Sequence, residues 1–338
     1  VSGGFARPGD PATITIRNPS MFSKDGGTLS PLVVIDNVIR SFDDFNTMDQ
    51  SEVENISILK DAAAAIYGAR GANGVIVVTT KRGKTGAPRF SYSTSVGVSD
   101  AKLPKMMNGY ELATYRNSYN TGTTNTSLLY SQDELDYFKT NSQSWLEQAW
   151  KSSYTTRHAL NVSGGTEKAT YFASVAYNQQ NGNFDKINFD RWSFRASADV
   201  KVSKNVKASL GLSGDVSTKD RYLLKQGGTS NEKDFQSLLY AAPFTPAYYN
   251  GLPVSLLSSG ANTNENFHFF EAQKSNNYLM SRDNGLNINA SLEYDVPFLK
   301  GLKARVTYNR NMENSFGKEF GTRYKLYTFT MLGANKHI

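Results

Sequence analysis

Three histidines, His158, His268 and His337, and no cysteine make up the chain's whole supply of imidazole and thiol over 338 residues. None of the three has a partner at metal-ligand or triad spacing, so no catalytic residue, metal ligand or cofactor is assigned to them. Asp43 and Asp44 form a carboxylate pair of the kind that glycoside hydrolysis uses, but adjacent charges of this sort read as solvated loop residues. Gly68, Gly71 and Gly74 could cradle a phosphate. The order is wrong for it: phosphate loops follow a strand and open a helix, whereas these glycines follow a helix and open a strand. What remains is stacking chemistry. The stretch FQSLLYAAPFTPAYYNGLP, residues 235–253, combines Phe235, Tyr240, Phe244, Tyr248 and Tyr249 with three prolines. Such aromatic faces stack on sugar rings, build protein interfaces, or pack within their own loop. These five are the candidate substrate or partner contacts.

The elements that would position them are mostly strands. Nineteen Tyr, 19 Phe and 27 Gly with only 39% hydrophobic residues favour strands and turns over helices. The longest apolar runs, Leu32 to Ile35 and Val75 to Val78, are strand-sized, well short of the roughly 18 residues a membrane-spanning helix needs. That excludes a helical membrane protein and leaves a barrel open, since barrel strands turn only every second residue to lipid. The net charge of +7 is spread among acids, which reads as a mixed-charge surface and not as nucleic-acid binding.

From residue 89 onward, apolar and polar residues alternate strictly. Phe90, Tyr92, Val96 and Val98 oppose Ser91, Ser93, Ser95 and Ser99, and the pattern returns at 158–163, 170–178, 192–202, 207–216, 286–294 and 303–309. In the fourth of these segments one face carries Arg195, Asp199 and Lys201, too polar for a dry core. The connections alternate as well. Gly164 to Ala169, Ser203 to Val206 and Pro297 to Leu302 are tight turns, and between them lie long segments at 101–156 and 217–283 and a shorter one at 179–190. Short turns at one end and long loops at the other are the habit of outer-membrane barrels, and strands of about 9 to 12 residues match a tilted crossing. Tyr177, Trp192 and Tyr294 sit where interfacial aromatics would be. A soluble β-sandwich with one wet face is the alternative that the pattern alone allows.

Before residue 89 the chain changes character. PLVVIDNVI (Pro31 to Ile39) and VENISILKD (Val53 to Asp61) read as short buried strands. A helix over Ala62 to Ile66 is expected, capped by Asp61 and ended by Gly68, before a strand at Val75 to Thr80. In the long loops, residues 109–119 and 131–150 read as amphipathic helices, the second with a Ser131/Glu134 capping box.

PLVVIDNVI together with ISILKDAAAAIYGARGANGVIVVTTKRGK resembles the plug signature of TonB-dependent outer-membrane transporters of the SusC/RagA type, found in Bacteroidota. LNVSGGTEKATYFASVAYNQQNG and DRWSFRASADVKVSKNVKASLGL are similar to that family's early barrel strands. The likeness is good from Pro31 to Val216 and loose beyond, with its most specific motif at Leu59 to Lys81. Asn37 stands where the family usually has Gly, and Asn55 and Ser57 replace commoner acidic or apolar residues.

The resemblance implies an α+β plug domain, residues 1–88, followed by an antiparallel transmembrane β-barrel, residues 89–338, in a Gram-negative outer membrane. It implies that Asp36, Lys60, Asp61, Tyr67, Gly68, Arg70, Gly71, Asn73 and Gly74 form the plug's structural and gating motif. Seven or eight strands cannot enclose such a plug, so a longer protein with a barrel of about 22 strands is expected. A leader cleaved from, or lying outside, the residues that open at Val1 is expected too. The implied activity is active import of glycans or peptides, with no enzymatic step. A SusD-like surface lipoprotein would be the lid, and TonB with ExbB and ExbD would supply force through a region outside these residues. Outer-membrane lipid, an oligosaccharide or peptide substrate and a dimer of transporter–lipoprotein pairs complete the implied partners. The rivals are a siderophore or cobalamin receptor, which shares plug and barrel, and a soluble β-rich adhesin or carbohydrate-binding module.

Overall fold

The computed structural model describes residues 8–10, 14, 16, 30–100, 102–223, 238–239, 241–255, 268–299 and 301–338. A small mixed sheet comes first, in spatial order β2-β1-β4-β3. It comprises β1 (Leu32–Ile35), β2 (Val38–Arg40), β3 (Val53–Leu59) and β4 (Val75–Thr80). β1 and β4 pair in parallel at its centre, and Val33, Val34, Val75, Ile76 and Val78 are all buried. A parallel pair covered on both faces needs unbroken apolar runs, which is why LVVI and VIVV do not alternate.

The stretch 31–39 is a hairpin and not one strand. Asp36 and Asn37 take φ of 49° and 69°, the two positive-φ positions of a tight turn joining β1 to β2. That explains the glycine expected at 37, because asparagine is among the few other residues that tolerate this region. Asn37→Val is expected to lower plug stability by about 1–2 kcal/mol and Asn37→Gly to leave it unchanged or slightly higher, read as the plug's unfolding midpoint.

Two further expectations need correction. β3 is an edge strand that leaves Ile56 and Ile58 about half exposed, because β4 is its only neighbour among the described residues. The segment Asp61–Gly71 is 3-10 helix, and Asp61 does not cap it: Lys60 holds the N-cap position without a side-chain bond, and Asp61 itself has φ 52°. Gly68 breaks the run at φ 63°, ψ −152°, and a second turn continues to Gly71. Gly71 is dictated by contact, since a Cβ there would lie 2.6 Å from the Ala64 carbonyl oxygen.

The second body is a seven-stranded antiparallel sheet in the order β13-β12-β9-β8-β7-β6-β5. Its strands are β5 (Gly86–Ser99), β6 (Ser153–Gly165), β7 (Ala169–Asn181), β8 (Asn188–Lys201), β9 (Val206–Tyr222), β12 (Tyr278–Asp295) and β13 (Lys303–Phe320). The short β10 (Tyr248–Tyr249) and β11 (Leu252–Pro253) form a separate hairpin. All three tight turns fall at one end of the large sheet and all long connections at the other. Ser193, Arg195 and Ser197 are buried against the small sheet, while Trp192, Phe194 and Val200 face outward and are exposed. An apolar exterior with a polar interior is the signature of a wall facing lipid.

The wall strands run 13 to 18 residues, longer than a bilayer requires. The outward face explains the excess. On β9 it is apolar from Ala208 to Val216 and then turns to Thr218 and Asp220; on β12 it runs from Tyr294 up to Leu286 and then turns to Asn284 and Arg282. The same switch on β8 falls between Trp192 and Asp190, where Trp192 packs on its register partner Tyr177 at 4.7 Å. The aromatic pair therefore marks the upper limit of the lipid-facing band, and the strand tops stand above it.

The long connections fold over the strand tops. Residues 109–119 form the helix α2 (Gly109–Tyr119), capped by Asn108, while 131–150 divide into α3 (Gln132–Thr140) and α4 (Trp145–Ala149). Glu134 accepts from the Ser131 backbone N–H at 3.0 Å, the carboxylate half of the expected capping box. With α1 (Phe42–Thr47) in the plug, the helix Phe269–Lys274 is α5. Trp145, Leu146, Ala149, Ile187, Tyr222, Leu238, Ala247 and Phe269 form one buried cluster there, and Ala113, Tyr130 and Phe138 form another.

Candidate functional site

The plug meets the wall through charge. Asp36, in the β1–β2 turn, accepts from Arg195 Nη2 of β8 at 2.8 Å, from Thr80 Oγ1 at 2.5 Å and from the Thr80 backbone N–H at 3.0 Å. Arg82 adds a longer bond at 3.2 Å and also faces Asp199 of the wall at 3.7 Å. Arg195 is buried and donates to Thr80 Oγ1 as well. Nothing local in the sequence suggests this cluster; the chain closes it over a span of 159 positions.

A second cluster lies at the turn before β3. Arg157 of β6 grips both carboxylate oxygens of Asp49, Nε at 2.7 Å and Nη2 at 2.5 Å, a planar fork that fixes orientation as well as charge. Asp49 also caps the 3-10 turn Gln50–Glu52 by accepting from the Ser51 N–H. Around these pairs, Ser51 Oγ donates to Asn161, Arg191 donates to the Asn46 carbonyl and Arg40 bonds to Asn287.

Burial alone would raise the carboxyl pKa of Asp36, but the Thr80 bonds and the Arg195 and Arg82 charges more than offset it and hold the group below its ordinary range. Asp49 behaves alike, with Arg157 and Ser51 outweighing burial. Glu52 does not. Burial pushes it up to about 7 despite the Arg195 charge and a bond from Ser174 Oγ.

Of the motif residues expected to gate the plug, Asp36 bonds directly to the wall. The others build the frame beneath it. Tyr67 packs beside Val34, Ala64 and Val75, Gly71 accepts from the Gly74 N–H, and Gly74, at φ 92°, accepts from the Leu32 N–H that sets the β1/β4 register. Lys60, Asp61, Gly68 and Arg70 lie exposed along the 3-10 segment, and Asn73 is half-buried after it. Asp49, Glu52, Thr80, Arg157, Arg191 and Arg195 were missed as site residues. The available signal was an arginine in mid-strand among serines, since charge at that depth needs a partner.

Phe235 and Tyr240 lie outside the described residues. Phe244 packs among Tyr130 and Phe138, and Tyr248 donates its hydroxyl to Glu271 at 2.7 Å with its ring beside His268. Tyr249 is half exposed, edge-on to Phe329. The histidines are dispersed. His158 bonds to Tyr92 on the outward face, buried His268 contacts the Ala247 carbonyl, and His337 pairs with Glu134. Asp44 accepts from the Ser41 N–H, so the carboxylate pair opens α1. Among the described residues no group of three or more His, Cys, Asp or Glu could hold a metal ion.

A mixed-sheet domain ionically tied to the polar face of a lipid-facing β-wall is the architecture of a plugged outer-membrane receptor. Residues 2–75 match the TonB-dependent Receptor Plug Domain family. TonB-dependent receptor P3 of Formosa agariphila is 26% identical over 322 residues, covering 93% of this chain and 29% of that protein. TonB-dependent receptor SusC of Bacteroides thetaiotaomicron is 32% identical over 213 residues, 58% of this chain and 19% of SusC. The RagAB peptide importer in its open-open state superposes with a TM-score of 0.66 at 25% identity, covering 85% of this chain and 35% of the matched one. Residues 2–75 thus match a TonB-dependent receptor plug, and the chain as a whole is similar to TonB-dependent receptors of the SusC/RagA type, spanning about a third or less of the relatives it matches.

Proposed function

We propose that this chain is the plug and first wall segment of an active importer of oligosaccharide or peptide nutrients in the outer membrane of a member of the Bacteroidota. Residues 1–88 act as plug and 89–338 as wall and loops, with TonB supplying force and a SusD-like lipoprotein acting as lid. The observation that carries this reading is the kind of contact between plug and wall. Asp36–Arg195 and Asp49–Arg157 are ion pairs between polar surfaces, with no apolar cluster shared between the two bodies among the described residues. Water can replace both partners of such contacts, so they can be broken by a pull and remade. Of the three candidate loop aromatics that lie among the described residues, Tyr249, half exposed on the β10–β11 hairpin, is the one free to meet a lid or substrate, whereas Phe244 and Tyr248 are drawn into packing. The similarity to the RagAB peptide importer suggests the peptide class, and the oligosaccharide class comes with the SusC/RagA resemblance.

The test is made with the full-length protein in its host. Deletion of the gene is expected to abolish growth on one defined oligosaccharide or peptide source while sparing monomers, an uncoupler is expected to stop uptake, and a lipoprotein is expected to co-purify. Growth loss confined to ferric siderophore or cobalamin, with no co-purifying lipoprotein, would overturn the reading.

A further inference from the structure

The ion pairs leave one buried carboxylate poorly served. Glu52 is 3% exposed and accepts from Ser174 Oγ of β7 at 3.2 Å. Its backbone carbonyl is held by the Lys81 N–H at 2.8 Å, so the residue is anchored where it stands. The cations facing it are engaged elsewhere: Arg195 with Asp36 and Thr80, and Arg191 with the Asn46 carbonyl. Asp49 adds a like charge from Glu52's own turn. Glu52 also opens onto a cavity of about 50 Å³ lined by Arg40 and Asp44 of the plug and Arg195, Asp215 and Asn287 of the wall. Three buried donors of those residues, Arg40 Nε, Arg195 Nε and Asn287 Nδ2, have no protein partner. A cavity of that size, lined by mixed side chains with three spare donors, accommodates water, which gives Glu52 a route for proton exchange.

We propose that Glu52 is a proton-responsive catch between plug and wall: neutral, it seats the plug, and ionised, it loosens it. The geometry gives the carboxylate burial and a single neutral hydroxyl donor, an arrangement that suits the uncharged acid. The raised carboxyl pKa, about 7, agrees with this. The sign follows from linkage. A released Glu52 ionises near its ordinary value of 4.5, so the seated form holds an extra proton between there and about 7. Across that window the seated-to-released ratio falls about tenfold per pH unit, and above it the ratio is level. Asp36 and Asp49, held below the ordinary carboxylate range, do not titrate in this window.

This inference rests on the plug-and-wall part of the function proposed above and needs no substrate, lipoprotein or TonB. The experiment uses the full-length receptor in detergent, with a spin label on Asn55→Cys reporting urea-induced release of the plug. The release midpoint is expected to fall as pH rises from 5 to 7 and to stay level to pH 9. In Glu52→Gln, made in an Asp215→Asn background that removes the other buried carboxylate on the cavity, it should stay level throughout, near the value of the Asp215→Asn receptor at pH 5. A flat profile without the substitution, or a slope that survives it, overturns the proposal. Should Glu52→Gln not fold, Ser174→Ala removes the donor that favours the ionised form, and the slope should extend to higher pH; an unmoved profile is equally fatal. Loss of the import phenotype with this profile intact would count against the import reading alone.

Discussion

Arg195→Met is expected to weaken the seating of the plug by about 3–5 kcal/mol, the range for removing one partner of a buried ion pair. Arg195 and Asp36 have side chains 8% and 11% exposed, so solvent cannot replace the lost guanidinium at the surface's low cost. Asp36 would be left with Thr80 and with Arg82, whose side chain is 31% exposed. Glu52 would lose the foremost charge that favours its ionised form. The measurement is the urea midpoint for plug release in the full-length receptor. A second variant separates charge from shape: adding Asp36→Asn to Arg195→Met should recover a large part of the loss, because the penalty lies in the orphaned carboxylate. A single variant within about 0.5 kcal/mol of the parent would mean that the pair does not hold the plug.

Asp49 and Arg157 should show a coupling of about 2–3 kcal/mol in a double-mutant cycle of Asp49→Asn and Arg157→Gln. The fork is 7% and 15% exposed, and it joins a cap of the plug to a strand of the wall. Acid tests the same pair. A carboxylate held below its ordinary pKa contributes seating strength that is fully present above the ordinary value of 3.8 and is lost as pH falls through the lowered one. Asp36 adds to that acid limb. The Glu52 limb has the opposite slope, so seating should be strongest near pH 4–5. An additive cycle, with coupling near zero, would assign the contact to shape and not to charge.

The wall strands were legible because one face is apolar over their lower parts and a period of two needs no tertiary information. Their upper ends were not. Beyond Trp192, Val216 and Leu286 the outward face turns polar, so the alternation that betrays a strand fades while the hydrogen-bonded ladder continues. In the plug, Asp-Asn is a weaker turn signal than Asn-Gly, and the apolar run around it reads as continuous. The site was legible only in halves. Arg195 stood out as a charge in mid-strand, but its partner lies 159 positions away, and nothing local to Asp36 or Asp49 marks either one for the wall. The loop aromatics were visible by composition, yet composition does not distinguish Phe244, which is packed, from Tyr249, which is half exposed.

The strand tops have a further consequence. Where the outward face of β9 and β12 turns polar, the ladder rises about 10–15 Å past the hydrocarbon boundary, judged from the residues beyond it and a barrel's tilt. That collar turns a polar face outward, so lipid does not hold it closed. Among the described residues it is supported by the aromatic cluster of the folded connections, which takes in Tyr222 at the top of β9 and Ile187 just before β8. The loops are therefore a buttress for the strand tops. Trp145 and Phe269, fully buried there, are bound to the architecture of the mouth, whereas half-exposed Tyr249 is not part of that cluster.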